Sequence, residues 1–95
     1  MAGKIEGVVV EFGETGNLVT NITVEQLRNV PTDQSVTIVC DEHETTGIFR
    51  PDHTEPPMTY LAIIGESGRL ELAIVGDSAR DMLGVARGTP VIVKW

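Results

Sequence analysis

Cysteine is nearly absent from this sequence. Cys40 stands alone, so no internal disulfide can staple the fold, and a reducing, cytoplasmic setting is the expectation. Basic residues are scarce too: seven face fourteen acidic ones, for a formal charge of -7, and they are scattered along the chain. Such a surface repels phosphate backbones and anionic headgroups, which argues against nucleic acid as a partner. Long apolar runs are also missing. The longest, such as LAII at 61–64, hold four residues, far short of a membrane span, and the opening MAGKIEG lacks the apolar stretch of a secretion signal. No membrane or export role is expected. Aromatic side chains number two Phe, one Tyr and one Trp, so each one needs an explanation.

The chain has 95 residues, 41 % of them hydrophobic and 22 % charged, which is the make-up of one ordinary folded domain spanning 1–95. KIEGVVVE is β-branched and partly alternating, and it stops at FGETG, where Gly13 and Gly16 bracket a polar pair as a hairpin loop requires. GNLVTNI (16–22) follows. Two asparagines and a threonine inside a strand-like run are unusual, because asparagine amides compete with the backbone for hydrogen bonds. Thr23 and Gln26 then fit a capping box, with Val24, Leu27 and Val30 on one stripe, which predicts a two-turn helix ended by Pro31.

QSVTIVCDE alternates with Val36, Ile38 and Cys40 on one face, and further strands are predicted at TTGIFR, MTYLAIIG, RLELAIV and PVIVKW. PDHTEPP carries three of the five prolines and reads as an exposed, stiff loop. GDSARDMLG carries Asp77 or Ser78 to open a short helix and Gly84 to close it. Six or seven short strands with two short helices make an all-β barrel or sandwich. A barrel this small fills its interior with side chains, so a ligand would bind at an end, an edge or a subunit interface.

Chemistry-bearing clusters are thin. Cys40, Asp41, His43, Asp52 and His53 have metal-ligand character, and Cys40-x-x-His43 has an acceptable spacing. Against a metal site, the strand alternation turns Cys40 into the core and away from histidines expected in loops. No serine sits in a nucleophile elbow, and no phosphate-binding glycine loop occurs. Phe49, where a strand enters the proline loop, either fills core or stacks on a flat ring, and Trp95 packs on its own barrel or on a neighbour.

Taken together, EGVVVEFG, GNLVTNI and GESGRLELAIVGDSARDMLGVARGTPVIV resemble the C-terminal domain of the S-adenosylmethionine hydroxide adenosyltransferases, the family that includes the fluorinase and chlorinase. The similarity runs from Glu6 to Val93 and keeps motif order and spacing. It implies a closed Greek-key β-barrel, normally fused behind a larger α/β domain, that holds the adenine and methionine ends of the ligand across a trimer interface. By that resemblance Asn17 is the amide that reads the adenine edge, Phe49 the ring that stacks near it and Ser67 the hydroxyl of the turn at the methionine end. Gly16, Thr20 and Asn21 hold the loop. Departures are equally specific: Gly13 stands where the family has the aspartate that pairs with the methionine ammonium, and Val75 where it has a second adenine-reading asparagine.

These readings converge on a stand-alone, non-catalytic β-barrel module, working as a homo-oligomer, a trimer by the resemblance, or with a separate protein domain. S-adenosylmethionine or adenosine is the expected ligand class. The alternatives are a metal-binding domain built on Cys40, His43 and His53, and a structural interaction protein without a ligand.

Overall fold

The computed structural model of the chain describes residues 3–95, so the first two residues of the opening stretch lie outside the described residues. The chain forms β1 (Lys4–Phe12), β2 (Leu18–Thr23), β3 (Thr37–Cys40), β4 (His43–Thr46), β5 (Ile48–Phe49), β6 (Tyr60–Ile64), β7 (Arg69–Ile74), α1 (Ala79–Leu83) and β8 (Pro90–Lys94). Hydrogen bonding orders the strands β4-β3-β8-β1-β2-β7-β6-β5 in one sheet. The sheet curls until its ends nearly meet. Thr45 Oγ1 on β4 donates to the Tyr60 carbonyl on β6 at 3.2 Å, which makes the molecule an almost closed, all-β barrel.

The interior follows from the period of two along each strand. Ile38 and Cys40 of β3, Leu70 and Leu72 of β7, and Val91 and Val93 of β8 are all fully buried. β6 and β7 are largely buried on both faces, which places them under a cover on the outside as well. Ala62, Leu70 and Leu72 join the interior cluster, whereas Leu61, Ile63 and Ala73 form a second, outer cluster against which Phe49 and Val75 pack. The proline-rich loop, residues 50–59, runs along this outer face: its Met58 N–H donates to the Val75 carbonyl at 2.7 Å, and Val75 N–H donates to the Thr59 carbonyl at 3.0 Å.

Two expectations need correction. Residues 23–30 do not form a helix. The capping box itself is made, with Thr23 N–H donating to Gln26 Oε1 at 2.9 Å and Gln26 N–H to Thr23 Oγ1 at 3.3 Å. The turns behind it close through i to i+3 bonds, such as Gln26 N–H to the Thr23 carbonyl at 3.1 Å. Thr23 is still paired with Arg69 in the sheet, and Pro31 biases the residue before it away from helical backbone, so the segment is too short to nucleate an α-helix. The predicted strand TTGIFR is also broken. Gly47 takes a positive φ of 82°, which divides β4, antiparallel to β3, from β5, parallel to β6. Among the described residues the result is eight short strands and one short helix, where six or seven strands and two helices were expected.

The polar residues of GNLVTNI answer two irregularities in the ladder. β2 slips against β7 between Val19 and Thr23, and in that gap the Thr20 hydroxyl donates to the Leu70 carbonyl at 2.7 Å while accepting from Ile22 N–H at 3.2 Å. β1 slips against β2 between Val9 and Glu11. Near that bulge the Asn21 side-chain oxygen accepts from Val8 N–H at 2.9 Å. Both side chains stand in for backbone partners that a regular strand would have supplied.

Candidate functional site

The site is assembled by two turns and one strand. Between β1 and β2, Gly13 N–H donates to the Asn17 carbonyl at 2.9 Å and Gly16 N–H to the Gly13 carbonyl at 3.0 Å. Gly16 has a φ of 87°, and a Cβ there would overlap the Ser78 side chain. Its carbonyl accepts from Arg80 N–H at 2.8 Å, which ties this turn to α1. Ser78 caps that helix by accepting from Asp81 N–H, and Gly84 closes it in the left-handed conformation. The β6–β7 turn is closed by Gly65 N–H to the Arg69 carbonyl and by Gly68 N–H to the Gly65 carbonyl, each at 3.0 Å.

Glu71 joins the two turns. It lies on β7 between the inward Leu70 and Leu72, its side chain is on the outer face, and only 9 % of the residue is exposed. Asn17 Nδ2 donates to its Oε1 at 3.2 Å and the Ser67 hydroxyl to its Oε2 at 3.1 Å. Gly65 allows this arrangement, because a Cβ at that position would collide with the Glu71 carboxylate. A carboxylate can only accept, so this contact fixes which end of the Asn17 amide is nitrogen. Asn17 Oδ1, which accepts from the Thr15 hydroxyl at 3.4 Å, keeps a lone pair for a ligand, and Nδ2 keeps its second proton.

Two hollows share Thr15, Asn17 and Ile63 and form one cleft along the outer face. The first, about 530 Å³, has an apolar floor of Ile63, Ala73 and Val75 and a rim that includes His53, Asp77 and Ser78. The second, about 420 Å³, is lined by Gly13, Glu14, Glu66, Ser67 and Glu71 among others. Among the described residues no lysine or arginine lines either one. An apolar floor with a few convergent polar groups suits a flat heterocycle, and the acidic end suits a cationic group.

Of the residues singled out in the sequence, Asn17 and Ser67 are brought together through Glu71. Phe49 lies on the same outer patch but does not line the cleft; its ring stands edge-on to His53, with centroids 6.1 Å apart, and borders a separate hollow of about 370 Å³ with Leu27, Arg28, Ile48 and Ile64. Val75 is in the floor of the first hollow and Gly13 in the wall of the second. Glu71 was missed. Its signal was the lone charge, at the second position, in LELAIV, a run otherwise apolar on both faces.

Cys40 and His43 are paired across β3 and β4, but His53 is not brought to them. Cys40 is fully buried, and burial, with the Asp41 carboxylate beside it, pushes its thiol up to about 11. His43 is the first residue of β4, directly opposite Cys40 across a two-residue turn in which Asp41 takes a φ of 57°, so it sits in a strand rather than in the expected loop. Its ring lies edge-on to Tyr60 at 6.5 Å, whereas His53 borders the cleft on the outer face. Among the described residues no three His, Cys, Asp or Glu side chains are grouped to hold a metal.

A β-barrel with a cleft on the outside of one hairpin is the class that fold and site define. The family profile for the SAM hydroxide adenosyltransferase C-terminal domain matches residues 9–92, and the chain belongs to that family. Among solved structures, an uncharacterized conserved protein from Thermotoga maritima superposes with a TM-score of 0.77 at 21 % identity, over 93 % of this chain and 35 % of that one. A conserved hypothetical protein from Thermus thermophilus gives 0.68 at 26 % identity, over 93 % of this chain and 32 % of that one. The chain therefore spans about a third of the length of these two proteins. Among curated proteins, none matches.

Proposed function

We propose that the protein is a non-catalytic binding module that holds an adenosine-like ligand, S-adenosylmethionine or adenosine, in the cleft on the outer face of β6 and β7. The observation that carries this reading is the convergence of Asn17 and Ser67 on the buried Glu71 carboxylate. Leaving a carboxylate buried costs stability unless its partners are in place, and here those partners also line the cleft. The base lies on Ile63, Ala73 and Val75 with its polar edge to Asn17. A sulfonium or ammonium group points to the hollow that holds Glu14, Glu66 and Glu71.

The cleft is open on the solvent side, so the wall that covers the ligand comes from a second copy of the chain or from another protein domain. Titration calorimetry with S-adenosylmethionine and with adenosine tests the reading, with melting curves in parallel. Binding that Asn17→Ala weakens is the expected result, and no heat and no thermal shift at millimolar ligand would overturn it.

A second reading, an interaction module without a ligand, is favoured by Gly13 and Val75, which offer the cleft neither a carboxylate nor an amide. It predicts oligomerisation or partner capture that is indifferent to added nucleoside, and light scattering with and without ligand separates the two.

A further inference from the structure

His53 stands in the proline-rich loop at the rim of the first hollow. Its ring is held from two sides. Glu55 N–H donates to Nδ1 at 3.1 Å, and Phe49 packs edge-on at an interplanar angle of 73°. An imidazole nitrogen that accepts carries no proton, so the proton of the neutral ring resides on Nε2. Nε2 has no protein partner among the described residues. His53 is half-buried, and its side chain borders a hollow whose floor is apolar.

We infer that His53 is a ligand-binding residue of this cleft, donating through Nε2–H to an acceptor nitrogen of a purine-type base lying on the Ile63, Ala73 and Val75 floor. The inference rests on the nucleoside reading above and extends it. Asn17 addresses the base from the β1–β2 turn, and His53 addresses it from the proline loop, so two separate segments read two edges of one ring. The same assignment gives Phe49 its place, as the side chain that braces the imidazole without touching the ligand. A base lacking the matched acceptor leaves Nε2–H unpaired in the complex, which is a source of discrimination among heterocycles.

The test uses the full chain and adenosine, with 1-, 3- and 7-deazaadenosine as probes that each delete one ring acceptor. Side-chain nitrogen NMR of the free protein should show the Nε2–H tautomer at His53. His53→Ala should weaken adenosine binding by about 3- to 10-fold, the loss of one neutral hydrogen bond, while His53→Gln, whose amide can donate from a similar position, should retain most of it. One deaza analogue should lose about the same factor against the native protein and nothing further against His53→Ala. An Nδ1–H tautomer, or adenosine bound equally well by native protein and His53→Ala, overturns the role of His53 and leaves the nucleoside reading standing. Failure of the native protein to bind adenosine at all removes both.

Discussion

The Asn17 amide nitrogen donates to Oε1 of Glu71 at 3.2 Å, across 54 positions of sequence. Ser67 takes the other oxygen, so a single carboxylate locks the turn after β1 to the turn after β6. In Glu71→Leu both donors lose their acceptor, since the Ser67 hydroxyl could otherwise turn round and accept from an amide. The expected loss is about 1–3 kcal/mol of stability, read from the urea midpoint, together with weaker adenosine binding. Unchanged stability would mean that the carboxylate is not the anchor of the two turns.

Thr20 is fully buried, and its hydroxyl serves the Leu70 carbonyl and the Ile22 N–H at once. Thr20→Val keeps the shape and removes both bonds. Two buried backbone groups are then unpaired, which costs about 1–3 kcal/mol and, in a domain of this size, lowers Tm by roughly 4–8 °C for each kcal/mol. Thr20→Ser keeps both bonds and should fall between the native protein and Thr20→Val in a thermal melt.

Local chemistry was readable in the sequence; the joining of distant segments was not. The hairpin at Gly13 and Gly16, the inward face of Ile38 and Cys40, and the Ser78 and Gly84 caps each depend on residues a few positions apart, where spacing carries the physics. The Thr23–Gln26 box was also visible, and its side-chain bonds are made. What sequence could not supply was the sheet pairing that keeps Thr23 extended. Asn17 and Ser67 were noticed separately, by resemblance to a family. Their meeting on Glu71 is a tertiary fact, hinted at only by one charge in an apolar run.

Gly16 and Gly68 both have a positive φ, but only Gly16 is crowded. A Cβ at Gly68 meets nothing within 4 Å, whereas at Gly16 it would strike the Ser78 side chain and come within 2.9 Å of its Cα. Left-handed strain alone should cost Gly68→Ala about 1–2 kcal/mol. Gly16→Ala should cost more, since the turn must also part from α1. Hydrogen exchange at Arg80 N–H, which donates to the Gly16 carbonyl, should accelerate in Gly16→Ala and stay protected in Gly68→Ala. Equal behaviour of the two variants would show that the turn does not depend on its contact with the helix.

Alkaline pH supplies a test of the interior. Burial, and then the Asp41 carboxylate, raise the Cys40 thiol from an ordinary 9.0 to about 11. Between these values the unfolded chain gives up a proton that the folded chain keeps, so the unfolded state binds fewer protons and stability falls as pH rises. Below pH 9.0 the contribution is fully present and flat. The phenol of Tyr60 is pushed in the same direction, by burial and then by Cys40, which extends the decline upward. Cys40→Ala removes the thiol's share: the gap in stability between native protein and variant should be constant up to about pH 8.5 and then shift against the native protein by as much as about 2–3 kcal/mol by pH 11. Urea titrations at steps of one pH unit measure it. If the two proteins lose stability in parallel across that range, the thiol is not the group that titrates.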